Sequence, residues 1–145
     1  MTYQHKQTGY LMIYILLGIG ILFGISITQS GYNLPMLLSM LIVFGIVLSF
    51  VSLTVCIDEH FLKIQFGYGL FKKNFPLKEI TSVTEVKNHW YYGYGIRMWF
   101  WPRMWIYNVS GFDAVEIMIK KGKRYRIGTD EPQKLAEALR NSISK

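Results

Sequence analysis

At 145 residues the chain has room for one folded domain and an accessory segment, which excludes several independent cores. It is 51% hydrophobic and 16% aromatic, the balance of a membrane protein with a soluble part rather than of a disordered or fibrous chain. The formal charge of +7 is unevenly spread: Gln7 through Ile57 contain no Asp, Glu, Lys or Arg, and Lys6 alone of the 16 basic residues precedes Asp58.

Residues 1–9 read as a cytoplasmic N-terminal tail. Residues 10–28, YLMIYILLGIGILFGISIT, form an uncharged apolar run. At about 1.5 Å per residue such a run approaches the roughly 30 Å of a hydrocarbon core, which predicts a membrane helix. A signal peptide would have a shorter apolar region and a small-residue cleavage site, which QSGYNLP does not supply. Pro35 opens a second apolar run, predicting a return helix over about 36–52 and a transmembrane hairpin over 10–52. Gly20 and Gly24 in the first helix, and Gly45 and Ser49 in the second, have the four-residue spacing that lets helix backbones pack closely. Lys6 and the basic remainder flank the pair, so both termini are expected in the cytoplasm by the positive-inside rule.

The second span runs into VSLTVCID without a linker. Val51, Leu53, Val55 and Ile57 alternate with polar residues, the period-two pattern of a half-buried strand. Leu62, Ile64 and Phe66 repeat the pattern before a Gly67, Gly69 turn, ITSVTEV is β-rich, and Val115, Ile117 and Ile119 face one way before a Lys121, Gly122 turn. TDEPQKLAEALRNSISK changes period: Asp130 is a candidate cap, Pro132 suits a first turn, and Leu135, Ala138, Leu139 and Ile143 make one apolar stripe. Residues 53–145 are therefore a mainly-β domain closed by one helix.

Within that domain, FPLKEITSV after a hairpin and the series WYYGYGIR, WIYNVSG, DAVEI and RIGTDEP carry a family likeness. Over residues 53–145 the chain resembles the bacterial pleckstrin-homology-like (PH-like) domains carried on a membrane hairpin. The resemblance implies a seven-strand, partly open barrel of two antiparallel sheets with a C-terminal capping helix. Eukaryotic relatives bind phosphoinositides through a basic loop between their first two strands, whereas the loop here is Asp58, Glu59, His60.

Candidate chemistry is sparse. His5, His60 and His89 lack any zinc-binding spacing, Cys56 is the only cysteine, and no phosphate-binding glycine loop occurs. Ser110 in NVSGF lacks the first glycine of a nucleophile elbow and reads as a turn residue. No cofactor, metal or catalytic residue is expected. KKGKRYR places Lys120, Lys121, Lys123, Arg124 and Arg126 on one hairpin, as either a polybasic patch near anionic lipid or a solvated hairpin whose charges discourage edge pairing.

The run WYYGYGIRMWFWPRMWIYNVSG, from Trp90 to Gly111, holds all four tryptophans. A third crossing would bury Arg97 and Arg103 at roughly 2.5–3.5 kcal/mol each, and its GYG follows both helices rather than lying between them as an ion filter does. Base stacking is disfavoured in a chain confined to a membrane, so no nucleic acid is expected. Trp90, Tyr91, Tyr92, Arg97, Trp99, Trp101, Arg103 and Trp105 are therefore candidates for a membrane interface or a partner surface, with some rings shared with the domain core and a hairpin across Trp101, Pro102 and Arg103. The expected function is a non-enzymatic interaction or scaffold module at the inner membrane of a bacterium, touching anionic lipid headgroups or self-associating. Its expected partners are membrane lipids, a second copy or another membrane protein. The alternative is an accessory subunit of a membrane enzyme or transporter.

Overall fold

The computed structural model describes residues 3–101 and 103–145. Strand β1 (Tyr3–Thr8) leads into helix α1 (Tyr10–Ser30), which turns back through α2 (Leu34–Leu48). Strands β2 (Ser52–Ile57), β3 (Phe61–Phe66), β4 (Phe71–Pro76), β5 (Ile80–Lys87), β6 (Gly95–Phe100), β7 (Arg103–Asn108), β8 (Asp113–Ile119) and β9 (Arg124–Gly128) follow, and helix α3 (Pro132–Ile143) ends the fold.

The first correction concerns the N-terminus. The residues read as a tail form β1, which pairs antiparallel with β2 from Tyr3 opposite Ile57 to Thr8 opposite Ser52. YQHKQT has no apolar alternation to announce it, because β1 is an edge strand whose side chains are mostly half-exposed. The helical hairpin is thus an insertion between two paired strands. Its two ends are closed by the Gly9 N–H, which donates to the Val51 carbonyl at 2.6 Å. Only glycine fits there, since a Cβ on residue 9 would come within 2.8 Å of the Val109 carbonyl oxygen.

Helix α1, at 21 residues, is long and apolar enough to cross a membrane, and none of its residues is buried within the protein. Helix α2 starts where the Asn33 side chain accepts the Met36 N–H at 2.9 Å, with proline in its first turn. It ends at Leu48 rather than near residue 52; its 15 residues rise about 22 Å, short of the roughly 30 Å hydrocarbon core. The chain leaves the helix early because Ser52 already belongs to β2 and must meet Thr8.

Among the described residues the strands number nine, where seven were expected. They form two sheets, ordered β1-β2-β3-β4 and β5-β8-β9-β7-β6. Nor are both sheets wholly antiparallel, because β7 and β9 run parallel with Met104 opposite Arg124 and Tyr107 opposite Ile127. The main core contains Leu53, Val55 and Ile57 of β2, Leu62, Ile64 and Phe66 of β3, and Val115, Ile117 and Ile127 of the second sheet. Helix α3 adds Leu135, Ala136 and Leu139 to that core. Its start also departs from expectation: Glu131 stands at the cap position without a side-chain cap bond, while the Asp130 carboxylate meets His5 Nε2 at 2.5 Å.

Deleting residues 3–8 tests the role of β1. A dispensable tail would leave the thermal midpoint unchanged. Loss of a strand that orders one edge of the first sheet should lower it by several degrees, about 2 kcal/mol or more, read by near-UV circular dichroism in detergent.

Candidate functional site

The second sheet has two apolar faces, which divide the aromatic run. Along β7, Tyr107 faces the main core, where it stacks on Tyr125 at 6.3 Å and meets Phe75 edge-on at 6.4 Å. Burial pushes the Tyr107 phenol up to about 12, with Tyr125 adding to the shift. The alternate residues Met104 and Ile106 face outward, where Tyr92 and Trp99 cover them. The turn at Trp90–Tyr92 folds back across this outer face, so that Tyr92 lies 4.8 Å and Tyr91 5.5 Å from the Trp99 ring.

Arg126 belongs to this outer cluster and not to the basic patch. Its Nε donates to Glu116 at 2.9 Å, its Nη1 to Asn88 Oδ1 at 3.3 Å, and its guanidinium lies 5.7 Å from the Tyr92 ring centre. The sequence reading grouped it with the lysines because they are adjacent in the chain. Across the sheet, however, Arg126 lies directly opposite Glu116 of β8, its register partner, whereas Arg124, two residues nearer the β8–β9 turn, stands opposite Met118.

The remaining aromatics gather at one end of the sheet. Phe100 and Trp101 are 75% and 90% exposed, whereas the Trp99 Nε1–H is held by the Trp101 carbonyl at 2.8 Å. Pro102 lies outside the described residues, and β6 and β7 pair on either side of it with Phe100 opposite Arg103. Because β9 runs parallel to β7, the β8–β9 turn comes to this same end. There a groove of about 500 Å³ opens, lined by Arg103, Lys121, Lys123 and Arg124, with Met98 and Trp105 supplying apolar floor. None of these four cations forms a salt bridge among the described residues. Lys120 is exposed beside the groove, and Trp90 and Arg97 are exposed elsewhere, the Arg97 Nε donating to the Tyr94 carbonyl at 3.2 Å.

The helices leave from the other end. A Cβ on Gly95, at the start of β6, would lie 3.8 Å from the Phe50 ring just after α2, and Gly9 lies against Val109, just after β7. From Gly95 to the Phe100 tip is a full strand, roughly 17 Å. What surrounds the helix base is the Gly67, Gly69 turn between β3 and β4, which was not among the candidate site residues. Tyr68 donates its hydroxyl to the Gly45 carbonyl at 2.8 Å, Gly67 packs against the Ser49 backbone, and Phe71 stacks on Phe50 at 5.0 Å. Leu70, Phe71, Lys72 and Lys73 border a cleft of about 200 Å³ beside it. Alternating aromatic and glycine residues in FGYGLFKK were the available signal.

The helix-packing residues are also redistributed. A Cβ on Gly20 would approach the Phe44 ring at 3.5 Å, whereas one on Gly24 or Gly45 would meet nothing within 4 Å. Ser49 is buried and bonds the Ile46 carbonyl at 2.6 Å, serving the junction with the β domain rather than α1.

Two further sequence motifs prove architectural. In NVSG, Asn108 Oδ1 accepts the Ser110 N–H at 3.2 Å and its Nδ2 donates to the Gly111 carbonyl at 2.9 Å. Gln7 of β1 then donates to the Ser110 carbonyl at 3.0 Å, which joins this turn to the first sheet. In the loop after β2, Lys63 Nζ sits 2.5 Å from Asp58, whose carboxylate also accepts the His60 and Phe61 N–H groups. The Lys63 ammonium first, and then those amides, hold Asp58 well below the usual carboxylate range. That loop therefore binds its own lysine and offers no free cation of its own. Among the described residues no three His, Cys, Asp or Glu side chains converge as a metal-binding group.

Replacing Arg126 by methionine should destabilise the domain by roughly 3 kcal/mol, since it strands the Glu116 carboxylate on a mostly buried face. Pairing it with Glu116→Leu should restore most of that loss in denaturant titration; equal losses in the single and double variants would contradict a coupled pair. No protein-family model matches the chain, and no curated protein matches it.

Proposed function

We propose that the chain is a membrane-anchored interaction module: a PH-like β domain carried on a two-helix hairpin at the cytoplasmic face of a bacterial inner membrane, without catalytic chemistry of its own. The observation that carries this reading is the insertion of the apolar hairpin between β1 and β2. A tether spliced into a sheet at both ends, with the Gly9 to Val51 and Tyr68 to Gly45 bonds across the join, fixes the orientation of the domain as a flexible linker would not. Such rigidity suits a module that presents one surface to a partner at a set height.

The excess of basic residues after Asp58, together with Lys6, supports cytoplasmic termini. A hairpin with α2 shorter than the hydrocarbon core is accommodated by local thinning and by the apolar residues Phe50 and Val51 that follow it. Contact with anionic headgroups falls to the helix base, where Tyr68 and Phe71 stand beside Lys72 and Lys73, rather than to the tryptophans.

With Cys56 replaced by serine, a membrane-impermeant maleimide should label a Tyr32→Cys variant in intact cells and a Ser144→Cys variant only after lysis. Labelling of Ser144→Cys in intact cells would overturn the orientation. In bilayers bearing shallow bromine labels, a Tyr68→Trp variant should gain a quenched emission component while the four native tryptophans stay unquenched. Quenching of the native rings would bring the tip to the bilayer instead.

A further inference from the structure

The end of the second sheet opposite the helices combines three features that the domain's own stability does not explain. Arg103, Lys121, Lys123 and Arg124 converge on one groove from the β6–β7 and β8–β9 turns, and no carboxylate among the described residues neutralises them. Four like charges drawn together repel one another, a cost that is relieved when an anion binds. Phe100 and Trp101 stand largely exposed beside the groove, although Tyr107 of the same sheet and Tyr92 of the turn that covers it are buried. Exposed large aromatics next to arginine are the composition of an interface centre. The tip is nonetheless built rather than loose, since the Trp99 indole bonds the Trp101 carbonyl and packs on Tyr92.

We infer that this groove docks an acidic linear segment of a partner protein, one bearing an aromatic or aliphatic side chain to cover Trp101. The inference rests on the interaction-module reading and names the partner of that module. Charge complementarity requires carboxylates or phosphates. The concave shape, about 500 Å³ with Met98 and Trp105 as floor, fits a run of side chains better than a planar bilayer surface. Position decides against the protein's own membrane, because the groove lies a full strand, roughly 17 Å, from the end at which the helices leave.

The test uses the full chain in nanodiscs of phosphatidylcholine and a fluorescein-labelled peptide of repeating Glu-Glu-Phe, read by anisotropy. Binding should weaken as salt is raised and should be absent for the matching Lys-Lys-Phe peptide. A Lys121→Glu/Arg124→Glu variant should bind at least about tenfold more weakly and Trp101→Ala about fivefold more weakly, whereas the equal charge change Lys78→Glu/Lys145→Glu should alter affinity by less than about twofold. Should the double variant not fold, Lys123→Glu alone reads the same groove. Equal weakening by the groove and control pairs would reduce the effect to net charge and overturn the docking site. Failure of the peptide alongside salt-sensitive binding of the nanodiscs to phosphatidylglycerol vesicles, abolished by Lys121→Glu/Arg124→Glu, would make the tip a lipid-binding surface and equally overturn it. Neither result depends on the maleimide labelling pattern, so the docking inference and the topology can fail separately.

Discussion

The pairing of β1 with β2 is the constraint from which the rest of the arrangement follows. These strands are separated in sequence by the whole apolar hairpin, and a flexible loop of that length would make their meeting entropically costly. Two helices packed side by side hold the loop ends together where the strands pair. The Gly9 to Val51 bond then fastens the ends where the helices stop and the sheet begins. The apolar hairpin and the β domain are in this sense one folding unit, and the early end of α2 is the geometric consequence.

A second consequence is the direction in which the domain points. Fixing one end of both sheets at the helix base leaves the turns at the far end free of the helices. The second sheet exploits that freedom through its unusual parallel pair, β7 with β9, which brings the β6–β7 and β8–β9 turns alongside each other. An aromatic strand and a basic hairpin that are distant in sequence thereby share one groove. Outward-facing Met104 and Ile106 could not remain bare on such a sheet, and the Trp90–Tyr92 turn covers them with Tyr92 while Arg126 pairs with Glu116 beside it. Much of the WYYGYGIR segment is thus structural support for the tip.

Charge is distributed to match. Lysines at the base stand beside the helix junction, the loop after β2 consumes Lys63 in holding Asp58, and the four groove cations keep no internal partner among the described residues. Positive charge thus stands at two separate surfaces, one beside the helix base and one at the far end of the second sheet. There is little reason to expect an anion at the acidic loop after β2, where Asp58 already holds Lys63.

The sequence by itself determined the features that depend on local composition and period. The uncharged apolar run at residues 10–28 has the length and composition of a long apolar helix, the alternation at Leu53, Val55 and Ile57 is the pattern of a half-buried strand, and the stripe through Leu135 and Leu139 is that of an amphipathic terminal helix. Tertiary structure decided whatever depends on which distant residues meet. YQHKQT carries no pattern of its own and becomes a strand only because β2 offers an edge. Arg126 leaves the basic patch only because Glu116 sits beside it across the sheet, and Trp99 separates from Trp101 only because Trp99 packs on Tyr92 from within β6 whereas Trp101 lies just past the end of that strand, exposed. Which end of the sheet met the helices was likewise invisible in the chain, since it follows from the approach of Gly9 to the Val109 backbone and of Gly95 to the Phe50 ring, which no local pattern encodes.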